Sequence, residues 1–72
     1  MSDLTQTPPV SAILQFFDYE KLPPPLREVS ETFHHLAHHL ADTLRPGPEL
    51  TVALRKLLES KDAAVRAALP PK

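Results

Sequence analysis

Nine prolines and a single glycine dictate where this 72-residue chain can bend and where it cannot. Proline fixes φ, donates no amide hydrogen and pushes the residue before it out of the α region. Pro8 and Pro9 interrupt the first segment, Pro23, Pro24 and Pro25 the second, and Pro46 and Pro48 flank Gly47 in the third. Only two stretches between these breaks are long enough for extended regular structure: about Pro25 to Leu44 and about Pro48 to Leu69.

Both stretches carry apolar residues at helical spacing. In the first, Leu26, Val29, Phe33, Leu36, Ala37, Leu40 and Leu44 fall along one face of a helix turning about 100° per residue. In the second, the stripe is Leu50, Leu54, Leu57, Leu58, Ala64, Val65 and Ala68. Between them, Gly47 suits a left-handed position after the first helix. Pro48 suits the first turn of the next, and Glu49 complements its N-terminal dipole. So short a connection folds the helices back as an antiparallel pair. No strand pattern, internal repeat or long heptad run is present.

Ahead of the helices, residues 1–11 are polar and Pro-broken. "AILQFFDYE" (12–20) gathers Phe16, Phe17 and Tyr19 into an aromatic cluster that must pack, extended or as a short helical turn, on the segments downstream of it. "KLPPPL" (21–26) reads as an extended linker. The expected division is a flexible N-terminal arm over 1–15 and a helical hairpin domain over 16–70.

A single core of this size yields only about 3–5 kcal/mol of net stability. With no cysteine, disulfides cannot add to it. Two facing stripes cover each other only in part, and the exposed edges favour association. The expected fold class is therefore all-α: an antiparallel two-helix hairpin with a short N-terminal aromatic segment, assembled as a homo-oligomer.

Several function classes drop out. A net charge of −1 provides no field for duplex nucleic acid. The N-terminus lacks a basic region followed by an apolar stretch, and no run approaches the roughly 20 apolar residues that cross a bilayer, so no membrane contact and a cytoplasmic location are expected. One glycine rules out a phosphate-cradling loop. Ser11, Ser30 and Ser60 sit in no nucleophile motif. The expectation is a chain that is not an enzyme and uses no cofactor.

The four histidines all lie in "FHHLAHH" (33–39). His34/His38 and His35/His39 are each i,i+4 pairs off the apolar stripe, a spacing that can bind a divalent ion. Glu31 and Asp42 flank them. The H-E-x-x-H order that positions a general base is missing, as is a second Glu-x-x-His helix. Three readings are open: a solvated or subunit-contact face, a ligand or pH-responsive contact, and a metal site; the expectation taken forward is no metal.

Further candidates sit on the second helix and at its approach. Lys61 falls inside the apolar stripe, either snorkelling to water or meeting an anion at a subunit junction. Arg55, Glu59, Asp62 and Arg66 follow one flank, either as a ladder of ion pairs or as two guanidinium forks offered to phosphate. Tyr19 is either core or a flat surface on which a nucleobase stacks.

The order of these parts resembles a known family. Phe17-x-Tyr19 leads through a Pro-rich linker into a helix ending "LAHHLADTL", with the pair Leu36-Ala37. A Pro-Gly turn precedes "PELTVALRKLLESKDAAVRAAL", which carries E-x-T-x-A-L-x-K-L at Glu49, Thr51, Ala53, Leu54, Lys56 and Leu57. Over about residues 16–69 this is similar to the phage anti-CBASS cyclic-nucleotide sponges, whose hairpin also occurs in anti-Thoeris sponges. The resemblance implies a phage immune-evasion protein: a compact homohexamer that sequesters cyclic di- and trinucleotides without cleaving them. Its pockets would form between subunits in the cytoplasm of an infected bacterial cell.

In site terms, the resemblance matches Tyr19 to the family's aromatic residue and Thr32 to its first-helix hydroxyl. Ser30 stands where the first-helix cation aligns, with Arg27 one turn earlier, and Pro70 near the late basic position, with Arg66 one turn before. Together with Arg55, the candidate ligand-binding residues are Tyr19, Arg27, Thr32, Arg55 and Arg66. The rival expectation is a helical-hairpin protein–protein interaction module with no nucleotide ligand.

Overall fold

The proline breaks set the element boundaries. A computed structural model describes residues 8–70, with side chains from residue 10 onward. The order is α1 (Pro8–Leu14), a 3-10 turn (Gln15–Phe17), α2 (Pro24–Thr43) and α3 (Pro48–Ala68). The described residues form an all-helical structure with no strand.

Each long helix opens on a proline. Pro24 occupies the first turn of α2, where an amide hydrogen would have no partner in any case, and Pro23 precedes it in extended geometry (φ −57°, ψ 152°). No side chain caps the helix; the Arg27 amide donates to the Pro23 carbonyl at 2.8 Å and closes the first turn. At the other end Leu44 turns extended (φ −95°, ψ 153°) while its amide still donates to Leu40 O at 2.9 Å.

Gly47 behaves differently from the expectation. It is not a left-handed cap on α2 but the residue that admits the chain to α3, at φ 154° and ψ −176°. That region is open essentially only to glycine. A Cβ here would meet nothing within 4 Å, so the requirement comes from the backbone alone. Pro48 then begins α3, and both the amide and the Oγ1 hydroxyl of Thr51 donate to Gly47 O, at 3.2 and 3.3 Å.

Residues 44–47 link α2 to α3, and the two long helices pack on each other along with α1, which touches both. The core contains Val10, Leu14 and Phe17 from the first segment, Ala37 and Ala41 from α2, and Leu50 and Leu54 from α3. The α2 contribution is two alanines. Their small side chains leave the volume that Val10 and the fully buried ring of Phe17 fill. Ile13, Phe33, Leu40, Leu57 and Leu58 pack partly buried around this cluster.

Two sequence expectations change here. The arm expected over 1–15 does not hold for residues 8–14, which form α1: Val10, Leu14 and Phe17 recur at helical spacing and are all buried. Residues 1–7 of that arm lie outside the described residues. The α2 stripe is also displaced. Its buried line is Ser30, Ala37 and Ala41, whereas Leu36 and Leu44 are exposed. Leu36 lies about 100° of helix rotation from Ala37 and falls outside the packed face.

Every buried hydrophobic residue of the long helices lies in the halves nearest the 44–47 link. Further along, Leu26, Val29, Ala64, Val65 and Ala68 are only half-buried. Leu69 is 48% exposed. The one fully buried residue on that stretch is polar: Ser30, whose Oγ has no hydrogen-bond partner among the described residues. No described helix is long and apolar enough to cross a membrane.

Candidate functional site

Downstream of Phe17 the chain leaves the 3-10 turn and passes over the middle of α2, where the histidines are. His34 is the anchor. Its Nδ1–H donates to the Phe17 carbonyl at 3.2 Å, and its ring meets the edge of Tyr19, centroids 4.9 Å apart at 66°. A carbonyl can only accept, so this bond places the proton on Nδ1. His35 adds a second, looser contact to Tyr19 at 6.2 Å. Tyr19 is thus half-buried and seated on two imidazoles.

The histidine face extends in both directions along α2. His38 lies one turn on, its ring centroid 4.4 Å from that of His34. One turn back, Glu31 Oε2 meets His35 Nε2 at 3.4 Å across an exposed i,i+4 pair. Such an exposed pair stabilises a helix by only tenths of a kcal/mol. No three His, Cys, Asp or Glu side chains among the described residues are gathered so as to hold a metal ion.

The candidate residues fall into two groups. Tyr19 lies on the approach to α2 and Arg27 in its first turn: the Arg27 Nε–H donates to Leu22 O at 3.3 Å, tying the guanidinium to the 19–22 segment. Thr32 is exposed on the same helix, its Oγ1 donating back to Glu28 O at 3.4 Å. Arg55 and Arg66 are exposed on α3. Among the described residues, no hydrogen bond, ion pair or ring contact joins these five to one another.

The expected ion-pair ladder on α3 does not form. Glu59 approaches Lys56 Nζ at 4.0 Å instead of Arg55, and Asp62 pairs with Lys61 Nζ at 3.0 Å instead of Arg66. Both arginines are therefore left without an ion partner among the described residues. Lys61 combines the features expected of a charge in an apolar stripe: its side chain is only 14% exposed, and its tip meets a half-exposed carboxylate.

Chemically, the α2 face offers an aromatic ring and imidazole nitrogens, and α3 separately offers two guanidinium groups without an ion partner among the described residues. The Thr32, Thr43 and Thr51 hydroxyls all donate to carbonyls one turn back. Two residues escape the sequence reading. His34 as the anchor of Phe17 and Tyr19 was signalled only by its place beside Phe33 on the flank of the core. Ser30 as a buried residue was legible in its spacing of seven from Ala37. No protein-family model, curated protein or solved structure matches this chain.

Proposed function

We propose that this chain is a non-enzymatic homo-oligomeric helical hairpin that binds and sequesters cyclic di- or trinucleotide signals, as an anti-CBASS sponge acting in the cytoplasm of an infected bacterial cell. The observation that carries the reading is the one-sided core. With no hydrophobic side chain fully buried beyond Phe33 on α2 or beyond Leu54 on α3 in the direction away from the link, apolar surface is left for other copies to cover. Clefts between copies are then where residues separated within one chain can converge.

The ligand chemistry depends on the groups those clefts would contain. Tyr19, held on His34 and His35, offers a ring for base stacking. Arg55 and Arg66, free of ion partners among the described residues, offer charge-assisted bonds to phosphate, with Arg27 and Thr32 beside the Tyr19 segment. A cyclic dinucleotide has two phosphates and two bases, so a few such groups from two copies suffice. Stacking and charge-assisted bonds supply affinity without requiring bond cleavage.

The test is native mass spectrometry with and without a mixture of cyclic di- and trinucleotides. A multimer that gains the mass of a ligand, and a Tyr19→Ala variant that keeps the multimer but loses that gain, are the expected results. A multimer that takes up none of the mixture overturns sequestration. One observation favours a second reading, a protein–protein interaction module without a nucleotide: Phe16 is 57% exposed, and Leu36 and Leu44 are exposed as well. That module predicts a small assembly and no ligand uptake.

A further inference from the structure

The histidine face contains two i,i+4 pairs that are equivalent in sequence, and the structure distinguishes them. His35 Nε2 is engaged by Glu31 at 3.4 Å, and no ring contact joins His35 to His39. His34 and His38, by contrast, have their ring centroids 4.4 Å apart. His38 makes no hydrogen bond or ion pair among the described residues. One pair is therefore committed elsewhere and the other is poised.

We propose that His34 and His38 form a binding site for a late first-row divalent transition ion such as nickel, copper or zinc, with His34 Nε2 and a ring nitrogen of His38 as its two protein ligands. His34 is already set in the state a ligand needs. Its Nδ1–H is spent on the Phe17 carbonyl at 3.2 Å, which fixes the ring plane and, in the neutral imidazole, makes Nε2 the nitrogen with the lone pair. A backbone carbonyl holding the remote N–H of an imidazole is the usual outer-shell support of a metal-bound histidine.

Imidazole nitrogens bind such ions at about 2.0–2.1 Å, so two rings sharing one ion must already be near neighbours, as these are. No third His, Asp or Glu among the described residues joins them. The coordination sphere is thus left open for water or another donor. Two imidazoles favour the ions at the high end of the divalent affinity order, with copper the tightest and manganese the weakest.

The experiment uses the untagged full-length chain with nickel or copper chloride alone as the probe. Melting temperature should rise with ion concentration, because an ion that binds the folded state preferentially stabilises it by mass action. Chelator should reverse the rise. In proton NMR, sub-stoichiometric copper should broaden the ring resonances of His34 and His38 before those of His35 and His39. His38→Gln should weaken binding about tenfold or more, since loss of an outer-shell partner alone costs about 10–100-fold.

His39→Gln should leave binding unchanged, and far-UV circular dichroism confirms that each variant folds. Three results would overturn the proposal: no stabilisation of the wild type up to millimolar ion, binding that survives His38→Gln, or binding abolished by His39→Gln. None of them bears on nucleotide sequestration, which is read separately by ligand mass.

Discussion

The two ends of the α2–α3 pair are built on different principles. Near the 44–47 link, three helical segments meet: Val10, Leu14 and Phe17 close over Ala37, Ala41, Leu50 and Leu54, and every one of these side chains is buried. At the far end, Leu26, Val29, Ala64, Val65 and Ala68 are each only half-buried. The difference is one of supply. A seven-residue α1 spans about 10 Å at 1.5 Å per residue, about one third of the length of either long helix, and so roofs only one end of the pair. Apolar burial is thus concentrated at the roofed end, and the other end is only partly covered.

Substitutions across the two ends should show this asymmetry. Leu54→Ala removes a fully buried side chain and should cost about 2–5 kcal/mol in chemical denaturation. Leu69→Ala, 48% exposed at the other end, should fall within about 0.5 kcal/mol when measured on dissociated chain. Equal effects would mean the core is not one-sided.

Next in size is the turn that joins the helices. Gly47→Ala should cost about 1–3 kcal/mol, because φ 154° with ψ −176° strains any residue with a Cβ. Thermal melting of the variant checks this. A neutral substitution would mean the link relaxes freely, and the roofed end would then not depend on that conformation.

Val10→Ala examines whether α1 belongs to the core. Losing two methyl groups from a fully buried site should cost about 1.5 kcal/mol. An effect near zero would return α1 to the status of an appendage and erase the difference between the ends.

A smaller loss than these core and turn substitutions is expected at the anchor. His34→Ala removes one neutral hydrogen bond to the Phe17 carbonyl and the edge contact with Tyr19, about 1 kcal/mol for the bond. Hydrogen exchange should then quicken at the amides of residues 17–19 more than at those of α3. Uniform quickening would show that His34 supports the whole fold and not the aromatic segment.

How much of this was readable beforehand depends on which physical signal each residue carries. The long helices were legible because proline boundaries and helical spacing agree: α2 and α3 run Pro24–Thr43 and Pro48–Ala68, within a residue of the expected bounds. α1 was not, because Pro8 and Pro9 suggested a broken arm where proline was serving as a helix start, and the Val10–Leu14–Phe17 stripe is short. The α2 stripe was misplaced toward Leu36 because leucine outranks alanine in hydrophobicity. Close packing of a third segment reverses the preference and selects Ala37 and Ala41.

The site divides along the same line. Contacts local to one helix, such as Thr32 to Glu28 and Glu31 to His35, are implied by i,i+4 spacing. That Tyr19 would sit on His34 and His35 depends on the path of residues 17–23, which no periodicity encodes. That Asp62 pairs with its neighbour Lys61 and not with Arg66 one turn on is a side-chain placement that i,i+4 spacing does not encode.

The claim beneath the proposed function is that the uncovered end is completed by other copies. Sedimentation velocity at micromolar concentration, run on the wild type beside Val65→Asp, tests it most directly. The account predicts a single multimer for the wild type and smaller, still helical species for the variant. A wild type that sediments as one well-folded copy, unchanged by Val65→Asp, would contradict it.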